Sequence, residues 1–131
     1  MHIWNQEEYA VGVDIIDNQH KYLFSLVSEI YTTIIKNDKE NLKLILMKLI
    51  YHTNLHFKTE IEYLLENGAD TKEIVSHLNE HYNITNTLHE KVERYFLYGE
   101  DIMIDLALFI NNWISDHIIE YDVEIFRKIK K

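Results

Sequence analysis

Histidines and carboxylates recur at a spacing that could build a metal site. Residues four apart share one face of a helix. His52, His56 and Glu60 in HTNLHFKTE are related in this way, as are His77 and His81 in HLNEH. Imidazole and carboxylate groups are the usual ligands of zinc and iron in proteins. The pattern therefore indicates metal chemistry on at least two helices.

The stretch HLNEH also matches the H-x-x-E-H signature of one class of zinc peptidases. That chemistry needs a third protein ligand and a substrate cleft, and peptidases of that class are much larger than 131 residues. Glu80 lies about 100° around an ideal helix from His81. This favours Glu80 as a solvated residue, or as one that contacts a ligand, over a catalytic base.

The elements that carry these residues are predicted to be helices. Proline is absent and glycine occurs three times, so little interrupts a helix. Apolar residues recur at three-four spacing in four segments, which favours an all-α fold, an up-down-up-down antiparallel four-helix bundle in one domain, 1–131. The predicted elements are an N-terminal arm at 1–17 and helices at approximately 18–36, 40–66, 71–97 and 102–128.

Capping residues mark the predicted breaks between the helices. Asn37 or Asp38 is the expected N-cap of the second helix, with Glu40 placed for a capping box with Asn37. Gly68 and Gly99 are the expected C-terminal stops of the second and third helices.

An antiparallel bundle brings the histidines to one end. His20 is early in the first helix, His56 late in the second, His77 and His81 early in the third, and His117 late in the fourth. An imidazole-rich set suits iron or zinc better than magnesium or calcium. Five imidazoles with two carboxylates exceed the needs of one tetrahedral zinc ion, whereas two metals bridged by carboxylates would use them all.

Composition excludes several other functions. The formal charge of −9 leaves no basic patch for nucleic acid or an anionic membrane. The chain has no cysteine for a disulfide or a thiolate metal site. Neither a signal peptide nor an apolar membrane span is apparent, so a cytoplasmic location is expected.

Four motifs together resemble the hemerythrin family, specifically the stand-alone bacterial hemerythrins. They are the pattern W…Y.VGV…D.QH from Trp4 to His20, HFKTE at 56–60, HLNEH at 77–81 and WISDHIIEYD at 113–122. The resemblance covers nearly the whole chain. It implies a four-helix bundle that holds two iron ions joined by an oxo or hydroxo bridge.

The resemblance also implies a ligand set that spacing alone leaves open. Spacing does not decide between His52–His56 and His56–Glu60, and stacking from His117 favours Glu120 over Asp122, which lies about 140° around an ideal helix. The family motif selects Glu60 and Asp122 as bridges. The implied iron ligands are His77, His81 and His117 on one iron, His20 and His56 on the other, and both bridging carboxylates.

Apolar residues are implied to line an oxygen pocket beside the iron that keeps an open coordination position. The implied lining is Leu23, Phe57, Trp113, Ile114 and Ile118. This chain departs from many relatives at Ile61, where a second acidic residue is common, and at Ile114, where leucine is common. A β-branched residue at position 114 leaves the ligand set intact and bears on oxygen affinity.

The implied function is reversible dioxygen binding for storage, transport or scavenging, without enzymatic activity. Two alternatives use the same centre. One is an oxygen or redox sensor that acts through a separate partner protein, and the other is a di-iron reductase of peroxide or nitric oxide. Dioxygen is the expected ligand, and neither nucleic acid nor membrane is an expected partner.

Overall fold

The computed structural model describes residues 4–99 and 103–129. These residues are helical apart from short connections, and no strand occurs among them. The elements are α1 (Gln6–Tyr9), α2 (Asp14–Lys36), α3 (Lys39–Glu66), α4 (Thr71–Tyr98), α5 (Met103–Ile114), a π-helix (Ser115–Asp122) and α6 (Val123–Ile129).

The four long helices form a closed bundle. α2 packs against α3 and α5, and α4 packs against the same two helices. Each helix therefore neighbours the next one along the chain, and short connections make such neighbours antiparallel. The predicted all-α, antiparallel four-helix bundle is confirmed.

Local chemistry explains where the helices begin and end. The Asp38 side chain accepts from the backbone N–H of Asn41 at 3.2 Å and caps α3, and Asp70 accepts from Lys72 N–H at 3.1 Å and caps α4. Asn37 has a left-handed backbone (φ 55°) and ends α2. The alternative in which Asn37 caps the following helix is therefore wrong.

The N-terminal arm is shorter than predicted because α2 begins at Asp14 rather than at residue 18. The buried carboxylate of Asp17 accepts from the backbone N–H groups of Val11 at 2.8 Å and Gly12 at 3.1 Å. Gly12 has φ 83°, a conformation that glycine adopts without steric cost. These bonds turn the chain into α2 one helical turn before the predicted start.

Two further contacts fasten the arm to the bundle. The Tyr9 ring stacks on Phe24 at 5.2 Å between centroids, and Trp4 packs edge-on against both rings. At the other side, the Arg127 guanidinium donates to the backbone carbonyls of Glu7, Glu8 and Ala10. The described part of the arm, from residue 4 onward, is therefore packed on the bundle.

Apolar side chains pack on both sides of the level at which the histidines lie. Along α2, Ile16 precedes His20 and Leu23 follows it, and along α3 the order is Leu49, His56, Leu64. The smaller cluster consists of Val11, Ile16, Leu64 and Phe126. The larger cluster fills the rest of the bundle and includes Leu26, Val27, Ile30, Leu46, Leu49, Leu88 and Ile110.

The fourth long segment is not one regular helix. The sequence predicts a continuous helix over 102–128, whereas the structure has eight π-helical residues between α5 and α6. In a π-helix the backbone hydrogen bonds join residues five apart, and such segments are frequent at functional sites. Among the described residues, no helix combines the length and apolarity needed to cross a membrane.

Candidate metal centre

The seven residues whose spacing and resemblance suggested ligands come together between the two apolar clusters. Their side chains are buried: His20, His56, Glu60, His77, His81, His117 and Asp122. His81 is the most exposed of them, at 6%. Burying so many ionisable groups is costly unless each is paired or bound to a metal.

Glu60 faces imidazoles from its own helix and from three other elements, α2, α4 and the π-helix. Its Oε1 lies 3.0 Å from His81 Nε2 and 3.4 Å from His117 Nε2. Its Oε2 lies 3.2 Å from His56 Nε2 and 3.7 Å from His20 Nε2. The two oxygens of one carboxylate are thus directed at two different groups of histidines.

Asp122 is arranged in a similar way. Its Oδ2 lies 3.0 Å from His20 Nε2 and 2.9 Å from His117 Nε2. Its Oδ1 lies 3.4 Å from His77 Nε2. Asp122 therefore also contacts imidazoles of both groups.

These contacts define two overlapping clusters of ligand atoms. Within each cluster the atoms lie within 4.8 Å of one another, and Glu60 belongs to both. The first cluster is His20, His56, Glu60 and Asp122, and the second is Glu60, His81 and His117. His77 is in neither cluster, but its Nε2 lies 3.4 Å from Asp122 Oδ1.

The π-helix explains how Asp122 reaches the cluster. On an ideal α-helix Asp122 would lie about 140° away from His117. Because a π-helix closes its turn at the fifth residue, His117 and Asp122 return to nearly the same side. Their side chains are in contact at 2.9 Å. The π-helical backbone of Ser115–Asp122 thus removes the angular offset between Asp122 and His117 that an α-helix would impose.

Unpaired polar atoms test whether metal ions fit this arrangement. Among the described residues, both ring nitrogens of His77 and His81 are buried without a hydrogen-bond partner, as are Glu60 Oε2 and Asp122 Oδ1. Buried polar groups are normally satisfied. Metal ions bound between the carboxylates and the Nε2 atoms would give most of these atoms a partner, so the residues present fit a two-metal centre.

In the metal-free cluster, burial and the neighbouring carboxylates have opposite effects on the pKa values of the histidines. Burial alone would lower the pKa of His56, but the carboxylates of Glu60 and Asp122 raise it to about 9. Burial would likewise lower the pKa of His117, which Asp122 and Glu60 raise to about 10. For His81, burial prevails over Glu60 and lowers the pKa.

The two carboxyl groups remain ionised despite their burial. Burial raises the pKa of Glu60, but His56 and the other imidazoles bring it well below its ordinary value. Burial and the neighbouring Glu60 both raise the pKa of Asp122, and the imidazole of His117 more than reverses this. Without metal, positive charge on the imidazoles compensates the carboxylates, which is the charge that metal cations would supply.

A polar residue that sequence reasoning did not single out orients one of the imidazoles. His56 Nδ1 lies 2.8 Å from Gln19 Oε1, and Gln19 Nε2 donates to Thr59 Oγ1 at 2.9 Å. An amide oxygen only accepts, so His56 carries a proton on Nδ1, and in the neutral ring the Nε2 lone pair is free for metal. The sequence signal that could have indicated this contact is adjacency to proposed ligands, because Gln19 precedes His20 and Thr59 precedes Glu60.

Apolar residues surround the cluster on the side of the larger core. The Phe57 ring stacks on His81 at 3.8 Å, and Trp113 lies nearly parallel to His117 at 6.1 Å. Leu23 and Ile114 are buried in the same apolar cluster. Four of the five residues implied to line an oxygen pocket are thus buried together near the centre. The fifth, Ile118, has a side chain outside the described ones.

Three other residues lie near the site without joining it. The ring of His52 packs edge-on against Tyr22 and Tyr51 outside the cluster. Glu80 is partly exposed, and its Oε1 lies 4.0 Å from His117 Nδ1, so it faces the back of a predicted ligand. Tyr121 packs against His77 at 4.6 Å between centroids and hydrogen-bonds Ser76 through its hydroxyl.

Known proteins are similar to this chain in sequence and in fold. A bacteriohemerythrin of Clostridium acetobutylicum is 32% identical over 134 residues, which cover 95% of this chain and 98% of that protein. This chain belongs to the hemerythrin family. A bacteriohemerythrin of Methylococcus capsulatus is 23% identical and covers 91% of the chain.

Solved hemerythrin structures have the same fold. The crystal structure of a wild-type hemerythrin superimposes with a TM-score of 0.87 at 21% identity, covering 100% of this chain and 99% of that one. A scan against models of protein families finds no match. The cofactor of the hemerythrin family is a di-iron centre, and the buried histidines and carboxylates of this chain are positioned to bind metal.

Proposed function

We propose that this hemerythrin binds dioxygen reversibly at a non-haem di-iron centre. The observation that supports it is the position of Glu60 and Asp122, each of which faces imidazoles of both histidine groups. A carboxylate in that position is suited to bridge two metal ions. The two relatives compared above are bacteriohemerythrins.

The proposed ligands are distributed unequally between the two ions. One ion would be held by His77, His81 and His117, and the other by His20 and His56, with Glu60 and Asp122 bridging. The second ion would have one imidazole fewer, so it would keep a coordination position for an exogenous molecule. Iron bound there would supply the electrons and the open position that dioxygen binding requires.

The protein's own residues would restrain this chemistry. Gln19 fixes the ring of His56 with Nε2 directed at the carboxylates. The buried side chains of Leu23, Phe57, Trp113 and Ile114 exclude water from the neighbourhood. Passage of a charged product such as superoxide or peroxide through apolar surroundings is costly, so these surroundings favour release of neutral dioxygen. This supports a binding protein rather than an enzyme.

Anaerobic reconstitution with ferrous iron tests the proposal. We expect two iron ions per chain by metal analysis, an absorption band that develops on exposure to oxygen, and loss of that band under vacuum. A band that oxygen removal does not reverse would contradict reversible binding. Steady-state turnover of hydrogen peroxide or nitric oxide would instead indicate a di-iron reductase.

A further inference from the structure

The helix α3 is apolar on two opposite sides. One side faces the core with the buried residues Leu42, Ile45, Leu46 and Leu49. The opposite side carries four exposed apolar residues, which we name the outward stripe: Leu44, Met47, Tyr51 and Leu55, 54%, 53%, 63% and 40% exposed. A helix that is apolar on both sides is typically covered on both.

The outward stripe has the spacing of a helix-pairing seam. Its members are three, four and four residues apart, and the exposed residues Glu40 and Lys58 extend the same line at either end. Alternating three-four spacing places side chains along one line toward a partner helix. From Glu40 to Lys58 the seam is about 27 Å long at the rise of an α-helix.

The charges around the stripe indicate a second copy of the chain as the partner. The whole chain carries −9, which opposes self-association. α3 differs, because it holds four lysines and, apart from the buried Glu60, three glutamates. This is therefore a surface on which two acidic copies meet without strong repulsion.

The order of the residues selects an antiparallel pairing. With a two-fold axis level with Leu49, Met47 lies opposite Tyr51 of the partner subunit, and Lys58 lies opposite Glu40 of the partner subunit. A parallel pairing would instead put each charge against its own copy. Lys58 is 76% exposed, and among the described residues its ammonium group has one long contact, 3.9 Å to Glu62, so it is available to a partner.

We propose that the outward stripe of α3 is a homodimer interface in which two copies pair antiparallel. Such an interface is isologous, because each contact occurs twice about the two-fold axis. The Leu55 end of the stripe borders a surface groove of about 500 Å³ that Gln19 and His52 also line. The dimer would partly cover this groove outside His56. The proposal does not rest on oxygen binding.

Analytical ultracentrifugation of the iron-loaded full chain, over a wide concentration range, tests the interface. We expect a dimer for the natural chain and a monomer for Tyr51→Glu. Leu108→Glu is the matched control, since it adds the same charge at a 53% exposed leucine on α5, and it should remain dimeric. A second variant, Met47→Gln, should weaken the dimer without adding charge. Circular dichroism checks that each variant is folded.

A charge exchange tests the antiparallel register. Lys58→Glu and Glu40→Lys should each weaken dimerisation roughly ten-fold, because an exposed pair is lost at two symmetric places. The double variant should recover most of the natural affinity. A natural chain that is monomeric at all concentrations, or a dimer that Tyr51→Glu does not disrupt, would overturn the interface. A double variant no tighter than the single ones would overturn the register.

Discussion

Five imidazoles present the same atom, Nε2, to two carboxylates, and for three of them a side chain outside the cluster contacts the ring. His56 is held by Gln19 through Nδ1. His81 is held by the stacked ring of Phe57, and the ring of His117 packs on Trp113. Residues that contact a metal ligand from behind commonly set its orientation and basicity. The site is thus organised by neighbours that never reach its centre.

Replacing Gln19 by leucine tests this organisation. The substitution would leave the buried Nδ1–H of His56 without an acceptor. We expect iron affinity to fall roughly ten- to a hundred-fold and the metal-free protein to lose about 1–3 kcal/mol of unfolding free energy. Competition with a chelator and urea unfolding measure the two effects. Unchanged iron affinity would show that Gln19 does not orient His56.

Substitutions of two histidines distinguish a proposed metal ligand from a histidine that lies only near the site. His81→Ala removes a buried imidazole 3.0 Å from Glu60 Oε1, and we expect it to abolish the di-iron absorption spectrum. His52→Ala is the control on the neighbouring helix and should retain two irons per chain. Metal analysis with an absorption spectrum distinguishes them. Glu80→Gln should leave oxygen binding largely intact, because Glu80 is partly exposed and 4.0 Å from His117 Nδ1.

At the scale of elements, the π-helix and the arm adapt a regular bundle to its site. The π-helix brings Asp122 to the side of His117. The arm closes the end of the bundle nearest the site, where Val11 packs in the smaller apolar cluster. Both features lie outside the periodic helix pattern. Both depend on a few specific contacts.

The contact between Arg127 and the arm is open to a direct test. Its guanidinium donates to the carbonyls of Glu7 at 2.6 Å and Ala10 at 3.0 Å. These bonds are exposed to solvent, so Arg127→Met should reduce the free energy of unfolding by only about 1–2 kcal/mol. Lys128→Met removes the same charge at a neighbouring exposed position and should hardly change the free energy of unfolding. Urea unfolding compares the two, and equal losses would contradict a specific tie to the arm.

At the scale of the whole molecule, the charged cluster links stability to pH. The pKa values of His56 and His117 rise from the ordinary value of 6.5 to about 9 and about 10 in the folded protein. A raised histidine pKa stabilises the fold fully below the unfolded value, and the effect is lost as pH rises through the folded value. The lowered pKa values of Glu60 and Asp122 stabilise the fold above the unfolded pKa values, and this stabilisation is lost as pH falls into the acidic range.

The metal-free protein should therefore become less stable as pH rises from 6.5 toward 9. The slope is about 1.4 kcal/mol per pH unit for each proton released on unfolding. The iron-loaded protein should not show this loss, because its imidazoles must be deprotonated to bind metal. Urea unfolding of both forms at several pH values tests this contrast. A metal-free protein whose stability rises over that range would contradict the proposed charge state.

Helix periodicity, capping residues and the levels of the histidines were enough to predict the bundle and the end at which His20, His56, His77, His81 and His117 meet. These features follow from local rules, since an α-helix repeats every 3.6 residues and antiparallel neighbours share their ends. The start of α2 was missed because it depends on two hydrogen bonds that backbone N–H groups of the arm donate to the Asp17 carboxylate.

Only the tertiary structure decided the remainder of the site. Asp122 has the wrong spacing for an α-helix, and family resemblance rather than geometry suggested it. The contact of Gln19 with His56 joins two helices, and no spacing pattern in the sequence predicts it. The sequence by itself determined which residue types lie at the same level, because that depends on the helical repeat. Which atoms face each other depends on side-chain packing between helices, and only the folded bundle defines it.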